Sequence, residues 1–444
     1  MNILPHSVAV PLALAAALIG PAQADEGTYT KIVTWTCAWG DCRPGPPTSP
    51  LVETAPGVFS GIGSFGQLYT VDLAGQVTLG LQLPAAYYAA MAAAFQASDG
   101  ALWVPSTSNN QPTMNRIDAS GRKSWPLPIV YTSQAVVQDT QGRLWGASQP
   151  VFGTGQIYTI TLDGQVKVRA EFPQERSVVS MVAASDGHIY ALTAPFAGSD
   201  PSWLLQLDTR SGVPRSIGSL PTSAAQLAEG PDGHFYGCAS NSDTLFRLTK
   251  TGVYTALHHL AGGAEGASVT ACSLLASDGH LYGMTYQQGA YGYGTIFRAT
   301  LDGQITTVHA FTGADQGQHP SQYVARMAQG SDGALYGETT SAAANAPGYN
   351  TGATTYRLDL GLSRPAPRLL RASALRAAVG DTVLLTGSNL LGATGVSING
   401  TAAPFEVRSA QYLVMTVPVG AHSGSVEVVT PAGHATSPFV LRIR

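Results

Sequence analysis

Residues 277–304 read SDGHLYGMTYQQGAYGYGTIFRATLDGQ, which is a turn, an aromatic strand, a Gly/Tyr loop, a second aromatic strand and another turn. Alternating apolar and polar residues between Asp-Gly breaks predict antiparallel hairpins, because Asp-Gly supplies the positive φ angles that tight turns need. The stretch is either a site that does chemistry or one copy of a repeated structural unit. The rest of the chain decides between these two interpretations.

Related turns recur along the chain, and each places a glycine just before an apolar strand. Their glycines are Gly57, Gly100, Gly142, Gly187, Gly233, Gly279 and Gly333. A second series closes a later strand of each unit at Gly75, Gly121, Gly164, Gly212, Gly252, Gly303 and Gly361. Four short strands in a unit of about 40 to 50 residues are typical of a β-propeller blade. The sequence therefore predicts an all-β fold with a seven-bladed β-propeller over residues 25–361.

The seventh unit contains three strand patterns and then enters the Pro-rich residues 362–367 without a fourth. Residues 28–39, TYTKIVTWTCAW, align with the last strand of the sixth unit, ITTVHAFTG. An N-terminal strand that completes the last blade would cover the sheet edge that an open ring exposes. We expect this closure.

Residues 368–444 have a different pattern, with several short alternating strands in a segment that follows the Pro-rich linker 362–367. Their size and spacing predict a small immunoglobulin-like β-sandwich. The segment lacks the cysteines and the tryptophan of antibody domains.

The N-terminus and the composition indicate where the protein works. Residues 1–24 have an apolar centre and end in Ala-Gln-Ala, which predicts a signal peptide cleaved before Asp25, although no Lys or Arg precedes the apolar run. That run is shorter than the roughly 20 apolar residues that a membrane span needs, and we expect no membrane span in the mature chain. The net charge is −4 and no basic run is present, which argues against nucleic acid as a partner. We expect an exported monomer, extracellular or in the bacterial cell envelope.

The chain has 4 cysteines, an even number that favours disulfides in an exported protein. Of the three possible pairings, we favour Cys37 with Cys42 and Cys238 with Cys272. A zinc site would require ligand spacings that are absent from the sequence.

Several patterns suggest chemistry but have a structural interpretation. The fragment GIGSFG at residues 61–66 satisfies GxGxxG without the helix that nucleotide binding needs, so we interpret it as a hairpin loop. His188, His234 and His280 follow successive repeat turns, too far apart to share one metal ion. We interpret the repeat aspartates as turn residues and the repeat aromatics as packing between blades: Asp99, Asp186, Asp232, Asp278, Asp332; Trp103, Trp145, Tyr190, Tyr236, Tyr282, Tyr336. No catalytic residue, metal ligand or cofactor is predicted.

The remaining candidate is the loop after the aromatic strand of the opening stretch, with Tyr286, Gln287, Gln288, Tyr291 and Tyr293. Tyrosine rings and amides on a glycine-rich loop are suited to stack on and hydrogen-bond a sugar or a peptide. The alternative is a hairpin loop whose composition the repeat imposes.

The units resemble the Gly-, Tyr- and Val-rich tandem repeats called GloVer repeats, most closely over units six and seven. That resemblance implies a surface or secreted bacterial protein without an established activity. Residues such as VLLTGSNL and GSVEVVTPAGHA resemble the IPT/TIG family, which implies a spacer or interaction domain. Residues 97–123 are similar to blades of streptogramin (virginiamycin B) lyases, but no catalytic histidine or acid can be matched.

Two functions follow from these patterns. The first is a non-enzymatic recognition or scaffold protein that binds a glycan or a surface protein. The alternative is a propeller enzyme resembling the streptogramin lyases. Histidines and carboxylates that converge at the propeller axis would favour the enzyme, and exposed aromatic residues on loops would favour binding.

Overall fold

The structure, a computed structural model, describes residues 26–35, 47, 49–63, 66–83, 94–108, 111–127, 132–148, 155–172, 176–195, 201–221, 226–240, 242–312, 319–320, 327–340 and 353–444. The predicted signal peptide and the pair Cys37 and Cys42 lie outside these residues. Within them the fold is all-β: the strands form nine sheets, there is no α-helix, and a 3₁₀ turn covers Gly263–Glu265.

We number the sheets along the chain. Strand β1, Thr28–Trp35, precedes sheet 1. Sheets 1 to 3 contain, in spatial order, β2 (Val52–Ala55), β3 (Val58–Ile62), β4 (Gln67–Asp72) and β5 (Val77–Gln82); β6 (Phe95–Gln96), β7 (Leu102–Ser108), β8 (Gln111–Asp118) and β9 (Gly121–Pro126); β10 (Thr132–Gln138), β11 (Leu144–Ser148), β12 (Gly155–Ile160) and β13 (Val166–Phe172).

Sheets 4 to 6 repeat this order with β14 (Arg176–Ala183), β15 (Ile189–Pro195), β16 (Ser202–Leu207) and β17 (Pro214–Leu220); β18 (Ala228–Glu229), β19 (Phe235–Ala239), β20 (Thr244–Leu248) and β21 (Tyr254–His259); β22 (Ala267–Leu275), β23 (Leu281–Gln287), β24 (Thr295–Ala299) and β25 (Ile305–Ala310). Sheet 7 contains β26 (His319–Pro320), β27 (Ala328–Gln329), β28 (Leu335–Thr340) and β29 (Ala353–Asp359), together with β1.

The predicted turns are where the sequence places them. All fourteen turn glycines of the two series have positive φ, from 68° at Gly361 to 118° at Gly121. Side chains other than glycine rarely adopt this conformation, which explains why the repeat keeps glycine there. The fragment at residues 61–66 joins the antiparallel strands β3 and β4, as a hairpin loop would.

The seven sheets pack face to face in a closed cycle. A buried cluster lies between each sheet and the next, and each cluster contains residues of both sheets. One residue from each side, in order from sheets 1 and 2 to sheets 7 and 1, is Leu68 and Leu102; Trp103 and Leu144; Trp145 and Ile189; Tyr190 and Phe235; Tyr236 and Leu281; Tyr282 and Leu335; Tyr336 and Phe59. We refer to this cycle as the ring, and to the contact between consecutive sheets as a seam. The inward side chains are apolar because each sheet buries both faces against its neighbours.

The N-terminal strand pairs with the last repeat. β1 runs antiparallel to β29 with Thr28 opposite Asp359 and Trp35 opposite Ala353. Trp35 also donates its indole N–H to Thr355 Oγ1 at 2.9 Å. Residues far apart in the chain therefore complete sheet 7, as the strand count of the seventh unit predicts.

The C-terminal residues form two further sheets that share one core, which we call the C-terminal module. One sheet contains β30 (Arg368–Ala372), β32 (Thr382–Ser388), β36 (Tyr412–Thr416) and β35 (Phe405–Val407). The other contains β31 (Arg376–Ala377), β38 (Gly433–Ile443), β37 (Gly424–Thr430), β33 (Gly395–Ile398) and β34 (Thr401–Ala402). Residues of both sheets, such as Leu385 and Val426, are fully buried in the core between them.

Candidate functional site

The repeat aspartates hold the turns of the ring. In sheet 6, Asp278 Oδ1 accepts the backbone N–H of His280 at 3.1 Å, and Oδ2 accepts the hydroxyl of Tyr282 at 2.9 Å. The same two bonds recur in sheets 4, 5 and 7 at Asp186, Asp232 and Asp332. In sheet 2 the tryptophan Trp103 donates to Asp99 at 3.3 Å. These carboxylates therefore serve as hydrogen-bond acceptors that stabilise the turns.

Sheet 3 shows how strongly the turn requires a carboxylate. Gln141 occupies the repeat position of the aspartate, and Asp139, two residues earlier, takes its place. Asp139 Oδ1 accepts the backbone N–H groups of Gln141 and Arg143, both at 2.9 Å, and Oδ2 accepts the indole N–H of Trp145 at 2.7 Å. The sequence interpretation missed Asp139 because it lies outside the repeat position.

The repeat aromatic residues pack between sheets. Trp103, Trp145, Tyr190, Tyr236, Tyr282 and Tyr336 are all at most 2% exposed and belong to the clusters that join neighbouring sheets. Burial, followed by the hydrogen bond to Asp232, raises the pKa of Tyr236 to about 12. The hydroxyl therefore stays protonated and keeps donating to the aspartate.

The three repeat histidines do not converge. His188 Nδ1 lies 3.5 Å from Asp186 Oδ1, and His280 Nδ1 lies 3.0 Å from Asp278 Oδ2, so each of these two lies beside the aspartate of its own turn. His234 follows the turn of sheet 5. Among the described residues no group of three or more His, Cys, Asp or Glu is placed to hold a metal ion.

Four seams contain a hydrogen-bond clasp that the sequence interpretation did not identify. In the seam between sheets 6 and 7, Gln329 Oε1 accepts the backbone N–H of Ser277 at 2.9 Å, and its Nε2 donates to Ser277 Oγ at 2.8 Å. Equivalent pairs are Ser98 with Gln138, Ser185 with Glu229 and Ser331 with Glu53. The signal was present in the repeat, because each Ser-Asp-Gly turn has Gln or Glu four residues before the turn glycine of the next unit, and for Ser331 of the last unit the next unit around the ring is the first.

The other three seams lack the serine. Ala55, Thr140 and Pro231 occupy its position in units one, three and five. The seam between sheets 5 and 6 contains instead the disulfide Cys238–Cys272, which joins β19 to β22 and confirms that predicted pairing. Both cysteines are buried, and their bond crosslinks sheets 5 and 6.

The closing seam between sheets 7 and 1 contains an inward-facing carboxyl group. Glu338 is 3% exposed and occupies the repeat position of Met284 in unit six. Its Oε1 accepts the hydroxyl of Tyr69 at 2.8 Å, and within the described residues its Oε2 has no hydrogen-bond partner. Burial raises the pKa of Glu338 to about 8. Such a group is suited to acid chemistry, but packing separates it from solvent.

The predicted ligand loop is held rigidly by its own hydrogen bonds. Gln288 has φ of 61°, its carbonyl accepts the N–H of Gly294 at 2.7 Å, and its side chain accepts the N–H of Gly263 in the 3₁₀ turn. Gly289 donates to the Gly263 carbonyl at 2.8 Å. The loop is therefore joined to the chain that enters sheet 6, and Gln288 serves its geometry.

The five predicted residues have different surroundings. Tyr293 packs against the cluster between sheets 6 and 7, Tyr286 is half-buried, and Gln287 lies on the surface with its Oε1 3.4 Å from Ser268 Oγ. Tyr291 is 53% exposed and projects from the loop. The exposed groups are therefore the ring of Tyr291 and the amide of Gln287. A tyrosine ring is suited to stacking, and an amide to hydrogen bonding.

Comparison with known proteins identifies a repeat and a fold. The family model of the Gloeobacter/Verrucomicrobia repeat matches residues 221–361. No curated protein matches the sequence. No helix among the described residues is long and apolar enough to cross a membrane.

Solved structures of similar fold include a streptogramin B lyase, with a TM-score of 0.54 and 15% identity over 74% of this chain and 98% of that one. The virginiamycin B lyase of Staphylococcus aureus gives a TM-score of 0.51 and 16% identity over 74% of this chain and 100% of that one. An inactive variant of that lyase with quinupristin matches equally well. At this identity the likeness concerns the fold, so the chain shares a propeller-like all-β architecture with these enzymes.

Proposed function

We propose that the protein is an exported, non-enzymatic recognition or scaffold protein of the cell surface or extracellular space. In this proposal the ring is a seven-bladed β-propeller, the C-terminal module is an immunoglobulin-like domain of the IPT/TIG type, and the partner is a glycan or a surface protein. The single observation that carries the proposal is the exposed ring of Tyr291 on a loop fixed by hydrogen bonds.

A fixed loop favours binding because little conformational entropy is lost when a ligand orders it. The tyrosine contributes a flat apolar face and a polar hydroxyl, and the amide of Gln287, four residues earlier in the chain, is exposed. Export is supported by the disulfide, since such bonds persist in oxidising compartments. The match to the Gloeobacter/Verrucomicrobia repeat supports an extracellular or envelope location in the same way.

The test is a glycan array and a peptidoglycan pull-down with residues 25–444. We expect a bound glycan whose affinity falls at least tenfold in Tyr291→Ala, a loss typical of an aromatic contact, and is retained in Tyr291→Phe. Val213→Ala is the matched control, because Val213 is an apolar residue of similar exposure on a turn of sheet 4. Absence of glycan binding, or equal binding by Tyr291→Ala, would contradict the role of this loop.

The second candidate is a propeller enzyme, and the similarity of fold to the streptogramin B lyases supports it. Incubation of the protein with quinupristin followed by mass spectrometry distinguishes the two functions. Unchanged quinupristin is expected for the recognition protein. Linearised or otherwise cleaved product would replace the first proposal with the enzyme.

A further inference from the structure

The C-terminal module lies against turns at one end of the ring. Arg371 Nη2 donates to the Ser185 carbonyl at 3.0 Å in sheet 4, and Arg408 Nη1 donates to the Asp99 carbonyl at 3.4 Å in sheet 2. Both carbonyls belong to first-series turns, which join the first and second strands of a repeat. A guanidinium group suits this role because it carries several N–H donors in one rigid plane. The module is therefore bonded to two sheets that are not neighbours.

The glycines of these two turns leave room for the arginines. A Cβ atom on Gly100 would lie 3.2 Å from Arg408 Cδ, and one on Gly187 would lie 3.3 Å from Arg371 Nη1. Both distances are shorter than an ordinary van der Waals contact. The arginine side chains therefore pack directly on the turn backbone of sheets 2 and 4.

Sheets 1 and 3 extend these contacts into an arc. In sheet 1, Pro56 Cγ lies 3.5 Å from the position of a Cβ atom on Gly392 of the module. In sheet 3, Asp139 lies near Tyr412 of β36, since burial and then the charge of Asp139 raise the pKa of the Tyr412 hydroxyl. The module therefore contacts four consecutive sheets, from sheet 1 to sheet 4.

The start of the linker is packed on the ring as well. Ser277 Oγ of sheet 6 donates to the Ser363 carbonyl at 2.6 Å. A Cβ atom on Gly333 of sheet 7 would lie 2.5 Å from the Leu362 carbonyl oxygen, which is too close for any side chain. Residues 362 and 363 are thus fixed against sheets 6 and 7, and this part of the linker does not act as a hinge.

Two side chains of the module are buried without belonging to its own core. Leu391 and Tyr412 are 8% and 7% exposed, yet both lie outside the cluster between the two sheets of the module. Leu391 lines two cavities, of about 540 and 510 Å³, that remain between the module and the ring, and Gln96 of sheet 2 borders both. The ring therefore covers these side chains. A module that moved freely would expose them to water, which is unfavourable for apolar surface.

Domains move relative to one another unless their interface holds them together. We infer that the C-terminal module is a clamp that holds sheets 1 to 4 in one arc, and that the ring and the module unfold as a single cooperative unit. A spacer domain on a mobile linker would unfold separately. The Tyr291 loop follows β23 at the end opposite the Ser277 turn, so the clamp and the recognition function fail or succeed independently.

The test is urea denaturation of residues 25–444 with a separate probe for each part. The last of the 6 tryptophans is Trp203, so tryptophan fluorescence reports on the ring alone. Hydrogen exchange of peptides from residues 382–388 and 424–430, measured by mass spectrometry, reports on the module. Equal midpoints from the two probes are the mark of one cooperative unit.

Two variants break the clamp in different ways. Arg371→Ala with Arg408→Ala removes the donors to the turn carbonyls. Leu391→Asp places a charge against the ring at a position outside the core of the module. The matched controls change exposed residues of the module and are, in the same order, Arg376→Ala with Arg442→Ala and Val419→Asp.

We expect equal midpoints for the two probes in the wild type. Although every substitution lies in the module, the midpoint of the ring should fall by roughly 0.5 M urea or more in both clamp variants and stay unchanged in the controls. Separate midpoints in the wild type, or an unchanged midpoint of the ring in both clamp variants, would overturn the proposal. An equal fall in the controls would also overturn it, because the effect would not depend on the contacts with the ring.

Discussion

Two neighbouring seams of the ring share the same aromatic packing but are crosslinked differently, one by hydrogen bonds and the other by a disulfide. Between sheets 6 and 7, Gln329 clasps Ser277 through two hydrogen bonds. Between sheets 5 and 6, Pro231 and Leu275 occupy those positions, and the Cys238–Cys272 disulfide joins the sheets. Both seams bury a repeat tyrosine against the next sheet. The comparison indicates that aromatic packing is common to the ring, whereas the crosslink is specific to each seam.

Removing the disulfide should have the largest effect. Cys238→Ala with Cys272→Ala leaves the seam between sheets 5 and 6 without a crosslink, and we expect the free energy of unfolding to fall by about 3 kcal/mol. Urea denaturation monitored by tryptophan fluorescence measures it. A loss below about 1 kcal/mol would mean that apolar packing alone holds this seam.

A third seam, between sheets 7 and 1, contains a carboxyl group whose effect on the free energy of unfolding depends on pH. The pKa of Glu338 is about 8 in the folded protein and near 4.5 in the unfolded chain. The group therefore contributes stability below pH 4.5 that is lost as the pH rises through 8. Glu338→Gln, which can still accept from Tyr69, should match the wild type below about pH 4.5 and exceed it by about 2 kcal/mol at pH 6.

The measurement for Glu338 is urea denaturation at several pH values, with Tyr69→Phe as the companion variant that removes the hydrogen bond and leaves the carboxyl group. A stability difference between wild type and Glu338→Gln that is constant across pH would show that Glu338 has an ordinary pKa in the folded state.

Breaking the clasp in one seam should cost less than losing the disulfide in the next. Gln329→Met keeps the side-chain volume and leaves the N–H of Ser277 without its acceptor, so we expect a loss of about 1 to 2 kcal/mol. Gln96→Met is the matched control, because Gln96 has the same repeat position and no serine partner. Thermal unfolding compares them, and equal losses would contradict the role assigned to the clasp.

The smallest effect is expected from adding a clasp where the repeat lacks one. Ala55→Ser supplies the hydroxyl that units two, four, six and seven use, opposite Gln96 in the seam between sheets 1 and 2. One added hydrogen bond should raise the free energy of unfolding by up to about 1 kcal/mol. The double variant Ala55→Ser with Gln96→Met should lose that gain, and a gain that survives would have another origin.

The local elements were readable from the chain because their signals are local. The fourteen turn glycines adopt positive φ, β1 pairs with β29 where the strand count of unit seven required it, and Cys238 bonds to Cys272. The predicted loop is shorter in the structure, because Tyr286 and Gln287 are the last residues of β23 and the loop begins at Gln288. The sequence could not predict which residues of this segment are available to a ligand. Tyr293 packs against a buried cluster and Gln288 accepts a hydrogen bond from Gly263, and both contacts are with residues outside the loop.

The sequence by itself determined the all-β architecture, the repeat length and the turn positions, since alternation and Gly-containing turns depend on residues close in the chain. Only the tertiary structure decided that Gln329 bonds to Ser277, that Glu338 lies between two sheets, and that Gln96 faces a cavity beneath the C-terminal module. Each of these depends on which neighbour the packed ring brings within about 3 Å, the range of a hydrogen bond. No local pattern specifies that neighbour.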